Sequence, residues 1–181
     1  MKPRMTYLIA IVYSFLLASV WTKAIAEDKA QTPTDSQAEL SMGNIGDVAQ
    51  EFSEPDLQDR TITLKAYRGK VVILNFWATW CPPCKKEIPL LEDLENEHRS
   101  QLEVIGASVF CSYSDTQNFY KDYRINYPVI FGSYDLMLKY GKVRAIPTTF
   151  LISKKGFISF KVVGYRTKEQ YEEMLKSLLA E

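Results

Sequence analysis

Two almost uninterrupted apolar runs stand out in the pattern of hydrophobic and polar positions along this chain. They cover residues 71–76 (VVILNF) and 102–110 (LEVIGASVF). Runs of this length and composition are typical of strands buried on both faces of a sheet, as parallel strands usually are. The pattern therefore predicts two parallel strands in the centre of the fold.

Helical periodicity follows each of these strands. In residues 85–98, Ile88, Leu91 and Leu94 recur among charged positions, which predicts a helix with one buried stripe. Pro89 lies inside this segment and is expected to kink the helix or displace one backbone hydrogen bond. A second helix is predicted over residues 115–124 with Asp115 as its cap.

Two further helices are predicted near the C-terminus. A short helix should cover residues 134–140, and Thr167 with Gln170 forms a capping box that opens the last helix. The buried face of that helix is predicted to carry five apolar side chains. They are Tyr171, Met174, Leu175, Leu178 and Leu179.

Alternating polar and apolar positions predict two β-hairpins. The first covers residues 52–64 with a turn at Asp59-Arg60, and the second joins residues 145–152 to 157–163 through Lys155-Gly156. With a short extended piece at residues 127–131, the order is β-hairpin, βαβαα, β-hairpin, α. This order predicts an α/β domain with a central mixed sheet flanked by helices and an N-terminal β-hairpin extension.

The first 26 residues have the pattern of an export signal. Lys2 and Arg4 precede an uncharged, mostly apolar run over residues 5–21, and Ala24-Ile25-Ala26 matches a small-x-small cleavage site. An uncleaved membrane anchor is the alternative, although 17 residues fall short of the roughly 20 that span a bilayer. Either outcome predicts a domain outside the cytoplasm, most simply in a periplasm, with a flexible linker at residues 27–45 and the folded domain at 46–181.

Charge excludes one class of partner. The chain has 22 basic and 22 acidic residues, and its first 26 residues hold three of the basic ones and none of the acidic ones. The remainder therefore has three more acidic than basic residues. Such a domain offers no electrostatic footprint for nucleic acid, and contact with a membrane is expected only through a retained N-terminal segment.

Cysteine placement carries the chemistry. Cys81 and Cys84 form a Cys-x-x-Cys between a predicted strand and a predicted helix, where the helix N-terminus stabilises a thiolate. A zinc site needs two further ligands at suitable spacing, which His98 and Cys111 do not supply. The pattern favours a redox-active disulfide without a bound cofactor, and Cys111 is expected to be a bystander thiol.

Two segments over 60 residues apart carry a family resemblance. Residues 76–84 (FWATWCPPC) and 146–150 (IPTTF), in this order of elements, resemble the thioredoxin fold and, within it, the exported TlpA/ResA-like thiol–disulfide oxidoreductases. The resemblance implies that Cys81 is the exposed nucleophile and Cys84 the buried resolving thiol. It also implies that Pro147 is a cis-proline facing the disulfide.

The same resemblance assigns a proton acceptor. Cytoplasmic thioredoxins carry a buried aspartate where this chain has Asn75, and Glu87 resembles the acidic residue that tunes the thiols in the exported branch. From the spacing alone, a solvated carboxylate at a helix start is the simpler interpretation of Glu87. The side chains expected to contact a client are Trp80, Pro82, Pro83 and Ile146, whereas Trp77 is equally consistent with the core.

The expected function is exchange of disulfides with partner proteins, in the reducing direction. Pro82 and Pro83 remove two N–H donors from the Cys81 sulfur, which should raise its pKa and give a reducing or intermediate potential. A membrane-embedded thiol reductase is the expected electron donor, and cytochrome c maturation is one expected setting. The alternatives are a net disulfide oxidant or isomerase, a copper metallochaperone and a thiol peroxidase.

Overall fold

The computed structural model describes residues 43–181, which form an α/β domain. Besides a single 3₁₀ turn at Leu64–Tyr67, these residues contain seven strands and four α-helices. The strands are β1 (Ser53–Pro55), β2 (Thr61–Thr63), β3 (Val71–Trp77), β4 (Leu102–Ser108), β5 (Val129–Phe131), β6 (Thr148–Ile152) and β7 (Ile158–Val163). The α-helices are α1 (Pro82–Glu97), α2 (Tyr113–Tyr123), α3 (Tyr134–Lys139) and α4 (Lys168–Leu179).

Five strands form the central sheet in the order β5-β4-β3-β6-β7. β3, β4 and β5 are parallel, whereas β6 is antiparallel to both β3 and β7. The predicted mixed sheet is therefore confirmed, and the extended piece that follows α2 becomes its edge strand β5.

Helices cover both faces of the sheet. Every residue of β3 is therefore buried, and its side chains alternate between two hydrophobic cores. Ile73 and Trp77 face the apolar stripes of α1, α2 and α4, while Leu74 and Phe76 face α3 and the N-terminal segment. The continuous apolar run of β3 follows from this double burial.

The N-terminal hairpin β1–β2 lies outside the central sheet and protects its edge. Asp56 forms an isolated bridge with Ile130 of β5, and the Leu57 amide donates to the Val129 carbonyl at 2.9 Å. On the opposite edge, Val48 bridges Phe157 beside β7. Both edges of the sheet are thereby partly paired, which limits edge-to-edge association.

Two helix starts differ from the predicted ones. α1 begins at Pro82 rather than near residue 85, because Cys81 acts as the N-cap and prolines are tolerated where N–H groups have no partner. α2 begins at Tyr113, because Ser112 is extended and its Oγ accepts from the Asp115 amide at 3.0 Å. The cap is therefore Ser112, and Asp115 is an acidic residue in the first turn.

The predicted signal (1–26) and most of the predicted linker (27–45) lie outside the described residues. Within residues 43–181, no helix combines the length and the apolar character that crossing a bilayer requires.

Candidate active site

The two cysteines of the Cys-x-x-Cys lie where β3 leads into α1. They form a disulfide with an S–S distance of 2.17 Å, and their Cα atoms are 5.3 Å apart. Cys81 is 3% exposed and Cys84 is 1% exposed. The expected contrast between an exposed and a buried thiol is therefore absent in this oxidised state, because both sulfurs belong to the core cluster beneath α1.

The first turn of α1 offers its cysteine few hydrogen-bond donors. Cys81 is the N-cap, and its Sγ accepts from the Cys84 amide at 3.3 Å. Pro82 and Pro83 occupy the first two helical positions without an N–H, and the Lys85 amide donates to the Cys81 carbonyl at 3.1 Å. A thiolate at Cys81 thus keeps one of the donors that a helix N-terminus normally presents.

The segment before β6 reaches the same end of the sheet as the disulfide. Thr148 pairs with Phe76, so Pro147 lies level with the C-terminal end of β3. The Ile146–Pro147 peptide bond is cis, as the family resemblance implies. Ile146 packs against the core cluster that contains both cysteines, and within residues 43–181 neither its amide nor its carbonyl has a hydrogen-bond partner.

Glu87 is a fully buried carboxylate one turn beyond Cys84. Its Oε1 accepts from the Tyr171 hydroxyl at 2.8 Å and from the Arg166 amide at 3.4 Å, and its Oε2 accepts from Asn75 Nδ2 at 3.0 Å. The solvated interpretation of Glu87 is therefore wrong. The helical spacing could have predicted the burial of Glu87, because Glu87 falls on the buried stripe of α1 with Cys84 and Leu91.

Burial and hydrogen bonding act on this carboxyl in opposite directions. Burial raises the pKa of Glu87 because the charged form is desolvated, and the bonds from Tyr171, the Arg166 amide and Asn75 lower it. The net effect is a raised pKa. A carboxyl of this kind, one helical turn from a resolving cysteine, can take up and release a proton during thiol chemistry.

Two polar residues of the hydrogen-bond network around this carboxylate were not predicted from the sequence. Thr149 is the direct cross-strand neighbour of Asn75. Its Oγ1 accepts from Asn75 Nδ2 at 2.8 Å and lies 3.1 Å from the Tyr171 hydroxyl oxygen. Tyr171 was predicted to be buried, but only as an apolar contact. Asn75 thus donates from β3 to a carboxylate that α1 contributes.

The two tryptophans near the motif have different environments. Trp77 is buried against Phe119, at a ring distance of 5.2 Å, and belongs to the core. Trp80 is 59% exposed, and its Nε1 donates to the Phe110 carbonyl at 2.9 Å. Trp80 therefore ties the loop before Cys81 to the loop after β4 and presents an indole surface beside the motif, as expected of a client contact.

Cys111 lies after β4, at the same end of the sheet as Cys81. Its Sγ is half-buried among hydroxyls, 2.9 Å from Ser108 Oγ and 3.3 Å from Thr116 Oγ1. No cluster of three or more potential metal ligands occurs in the part of the chain that the structure describes.

Comparisons with known proteins agree with this geometry. The profile of the AhpC/TSA family matches residues 45–161. The chain is 38% identical over 135 residues to the thiol–disulfide oxidoreductase ResA of Bacillus thuringiensis subsp. konkukian, covering 74% of this chain and 78% of the relative. The ResA of Geobacillus thermodenitrificans is 34% identical over the same coverage.

Solved structures share the fold. The thiol:disulfide interchange protein of Chlorobium tepidum TLS matches with a TM-score of 0.70 and 30% identity, over 75% of this chain and 98% of that one. StoA from Bacillus subtilis matches with a TM-score of 0.62 and 28% identity, over 71% and 98%. The thioredoxin fold and the recognised family are both confirmed.

Proposed function

Because this chain belongs to the AhpC/TSA family and is a thiol–disulfide oxidoreductase of the ResA type, we propose that Cys81 and Cys84 reduce disulfides in exported client proteins. The observation that carries this proposal is the Cys81–Cys84 disulfide at the N-terminus of α1, with Glu87 buried one turn away. Two adjacent cysteines with a proton acceptor behind them are the minimum set for disulfide exchange.

The reaction proceeds through one mixed disulfide. In the reduced protein, the Cys81 thiolate attacks one sulfur of the client disulfide, forms a Cys81–client bond and expels the client's other sulfur as a thiolate. The Cys84 thiolate then attacks Cys81 Sγ, closes the Cys81–Cys84 disulfide and releases the second client thiolate. The client gains two electrons and two protons, and the protein loses them.

Glu87 serves the second step. Cys84 is almost completely buried, so its thiol must lose a proton to an acceptor that is also buried. Burial raises the pKa of Glu87 towards that of a thiol, which makes the proton transfer less uphill. Glu87 thereby supplies the base that Asn75 cannot supply.

The two prolines of the motif support the reducing direction. A reductant requires a Cys81 thiolate that is not strongly stabilised, because thiolate stabilisation favours the reduced protein and makes it a better oxidant. Pro82 and Pro83 leave the Cys84 amide as the backbone donor to Cys81 Sγ. This arrangement favours a reducing or intermediate potential.

Clients would be recognised in an extended conformation beside the disulfide. The free backbone groups of Ile146, next to cis-Pro147, can pair with such a segment, while Trp80 offers an apolar surface. Pro82 and Pro83 are exposed and complete the contact surface.

The pattern of the N-terminal segment supports a setting outside the cytoplasm. We infer that residues 1–26 direct the chain to the periplasm, where a membrane-embedded thiol reductase re-reduces the Cys81–Cys84 disulfide. Cytochrome c maturation is a suitable setting, because apocytochromes must be reduced before haem attachment.

Trapping of mixed disulfides tests this function. The Cys84→Ala variant should accumulate covalent Cys81–client adducts in cells, since the release step is removed, and Cys81→Ala should give none. Apocytochromes among the adducts would support the maturation role. Adducts only with many unrelated secreted proteins would favour a general oxidant or isomerase, and equal yields from both variants would contradict the assigned roles.

A further inference from the structure

A groove with basic walls lies beside the candidate active site. It consists of two cavities of about 460 and 310 Å³ that share Lys142, Val143 and Arg144. One cavity continues through Ala145 towards the cis-proline, and the other continues to Phe110. The Phe110 carbonyl in turn accepts from Trp80 Nε1 at 2.9 Å, which connects this end of the groove to the loop before Cys81.

The floor of this basic groove is apolar and exposed. Phe110 is 50% exposed, Tyr134 is 73% exposed and Val163 is 53% exposed. Val163 lines one of the two cavities, and Phe110 and Tyr134 line the other. Exposed apolar side chains that line a cavity are typical of a binding site.

Two residues that line the groove have strained backbones. Phe110 has φ 57° and Lys142 has φ 55°, values that are unfavourable for any residue other than glycine. The positive φ of Lys142 belongs to the turn that ends α3, where its amide donates to the Leu138 carbonyl at 3.4 Å, whereas Phe110 does not follow a helix. Phe110 is thus the residue of this groove whose strained backbone has no such explanation, as is common at functional positions.

Every charged residue that lines the groove is basic. These residues are Lys142, Arg144 and Lys161. Among residues 43–181 none of the three forms an ion pair, and Lys161 Nζ lies 5.3 Å from the centre of the Phe150 ring. Three cations that form no ion pair among the described residues therefore line the groove beside its apolar side chains.

We propose that this groove selects clients that carry an aromatic or aliphatic side chain and a carboxylate within a few residues of their reactive cysteine. The apolar side chain occupies the floor between Phe110 and Tyr134, and the carboxylate binds Lys142 or Arg144. Lys142 and Ile146 are four positions apart in the chain, so about four residues of an extended client paired with Ile146 are long enough to reach Lys142. The inference rests on the proposed exchange function and adds the substrate class.

Peptide disulfides of matched sequence provide the test. Two Cys-x-x-Cys peptides, one flanked by Asp-Phe and one by Lys-Phe, are reduced by the reduced protein, and kcat/KM is measured at low and high salt. The Asp-Phe peptide should react about five- to tenfold faster at low salt, and the difference should nearly vanish in 1 M salt.

Charge reversal in the groove should invert this preference. The double variant Lys142→Glu/Arg144→Glu should favour the Lys-Phe peptide. The matched control Lys65→Glu/Lys155→Glu changes the net charge equally at two exposed sites near the opposite end of the sheet, and it should keep the wild-type preference. Tyr134→Ala, which truncates a side chain outside the core, should slow both peptides several-fold by removing part of the floor.

Bis(2-hydroxyethyl) disulfide is small and neutral, so its reduction tests the exchange function separately from the groove. All variants should reduce it at the wild-type rate. If neither the wild type nor any variant reduces it, the proposed exchange function is wrong. If all reduce it but the groove variant keeps the wild-type peptide preference, the groove assignment is overturned. Binding to anionic vesicles that the groove variant abolishes, without any peptide preference, would also overturn it in favour of a membrane contact.

Discussion

The Tyr171 hydroxyl donates a hydrogen bond of 2.8 Å to Glu87 Oε1 and so joins the last helix of the chain to the active-site helix. The two residues are 84 positions apart. The bond holds the carboxylate in place inside the core, and it is one of the interactions that limit how far burial raises the pKa of Glu87.

Tyr171→Phe tests this bond. The substitution removes the hydroxyl without a change of shape, so the pKa of Glu87 should rise further because the ionised form loses a donor. The pH above which mixed-disulfide resolution becomes fast should move upwards in parallel. Unfolding should cost about 1–2 kcal/mol less than in the wild type. NMR titration of the Glu87 carboxyl carbon checks the pKa, and an unchanged titration would contradict the assigned bond.

Glu87→Gln removes the proposed base while keeping its size. Formation of the mixed disulfide by Cys81 should be nearly unchanged, and its resolution by Cys84 should slow about 10²-fold, the lower end of general-base contributions. Stopped-flow measurement of the two steps separates them. Asp93→Asn, an exposed carboxyl on the same helix, is the control and should change neither step.

Pro83→Ala returns one N–H to the first turn of α1. If that amide donates to the Cys81 thiolate, the reduced protein should be stabilised by about 1.5 kcal/mol, the lower end for a hydrogen bond to a charged group. The potential should then become about 30 mV more oxidising. Equilibration with a thiol–disulfide buffer measures the potential. Pro89→Ala, which restores an N–H further along α1, should leave it unchanged, and equal shifts in both variants would refute the donor argument.

Glu95→Gln tests a carboxylate on the far end of α1. Burial is the largest cause that raises the pKa of Glu95, and repulsion from Glu103 raises it further. The pKa is about 7, although Arg99 and Lys70 lower it. A carboxyl with a folded pKa above its unfolded value binds protons on folding, so its contribution to stability falls as the pH rises from about 4.5 to 7.

The Glu95→Gln variant has no carboxyl at this position, so it does not lose this part of its folding stability as the pH rises. Its stability relative to the wild type should therefore increase between pH 4.5 and pH 7, by about 1–2 kcal/mol after allowance for solvent screening of a partly exposed group. Urea unfolding at pH 4.5 and pH 8 measures the change. The control is Asp122→Asn on α2, an exposed carboxyl without an ion pair among the described residues. An equal change in both variants would contradict the prediction.

Cys111→Ser tests whether the third thiol takes part in exchange. The Cys111 sulfur lies among the hydroxyls of Ser108 and Thr116, an environment that accepts a serine hydroxyl. Disulfide reduction by the variant should match the wild type within about twofold, with a stability change of less than about 1 kcal/mol. A loss of activity with retained stability would show that Cys111 is a working thiol.

Much of the fold was predictable because local patterns and tertiary packing agree in this chain. The apolar run of β3, the stripe of α1 and the capping box of Thr167 each specify one element, and the structure contains all three. Helix starts were less accurate. A capping side chain such as Ser112 competes with equally suitable neighbours such as Asp115, and backbone geometry decides between them.

The sequence by itself determined the reaction centre. Cys81 and Cys84 are three residues apart at a strand-to-helix junction, so their proximity is a local property of the chain. The two prolines between them lack N–H donors, whatever the position of the helix in the fold. Only the tertiary structure decided the environment of that centre. Asn75, Glu87, Thr149 and Tyr171 come from four elements and meet because the sheet pairs β3 with β6 and α1 and α4 cover the same face. Burial, which sets the direction of the Glu87 pKa, is a property of that packing and not of any one segment.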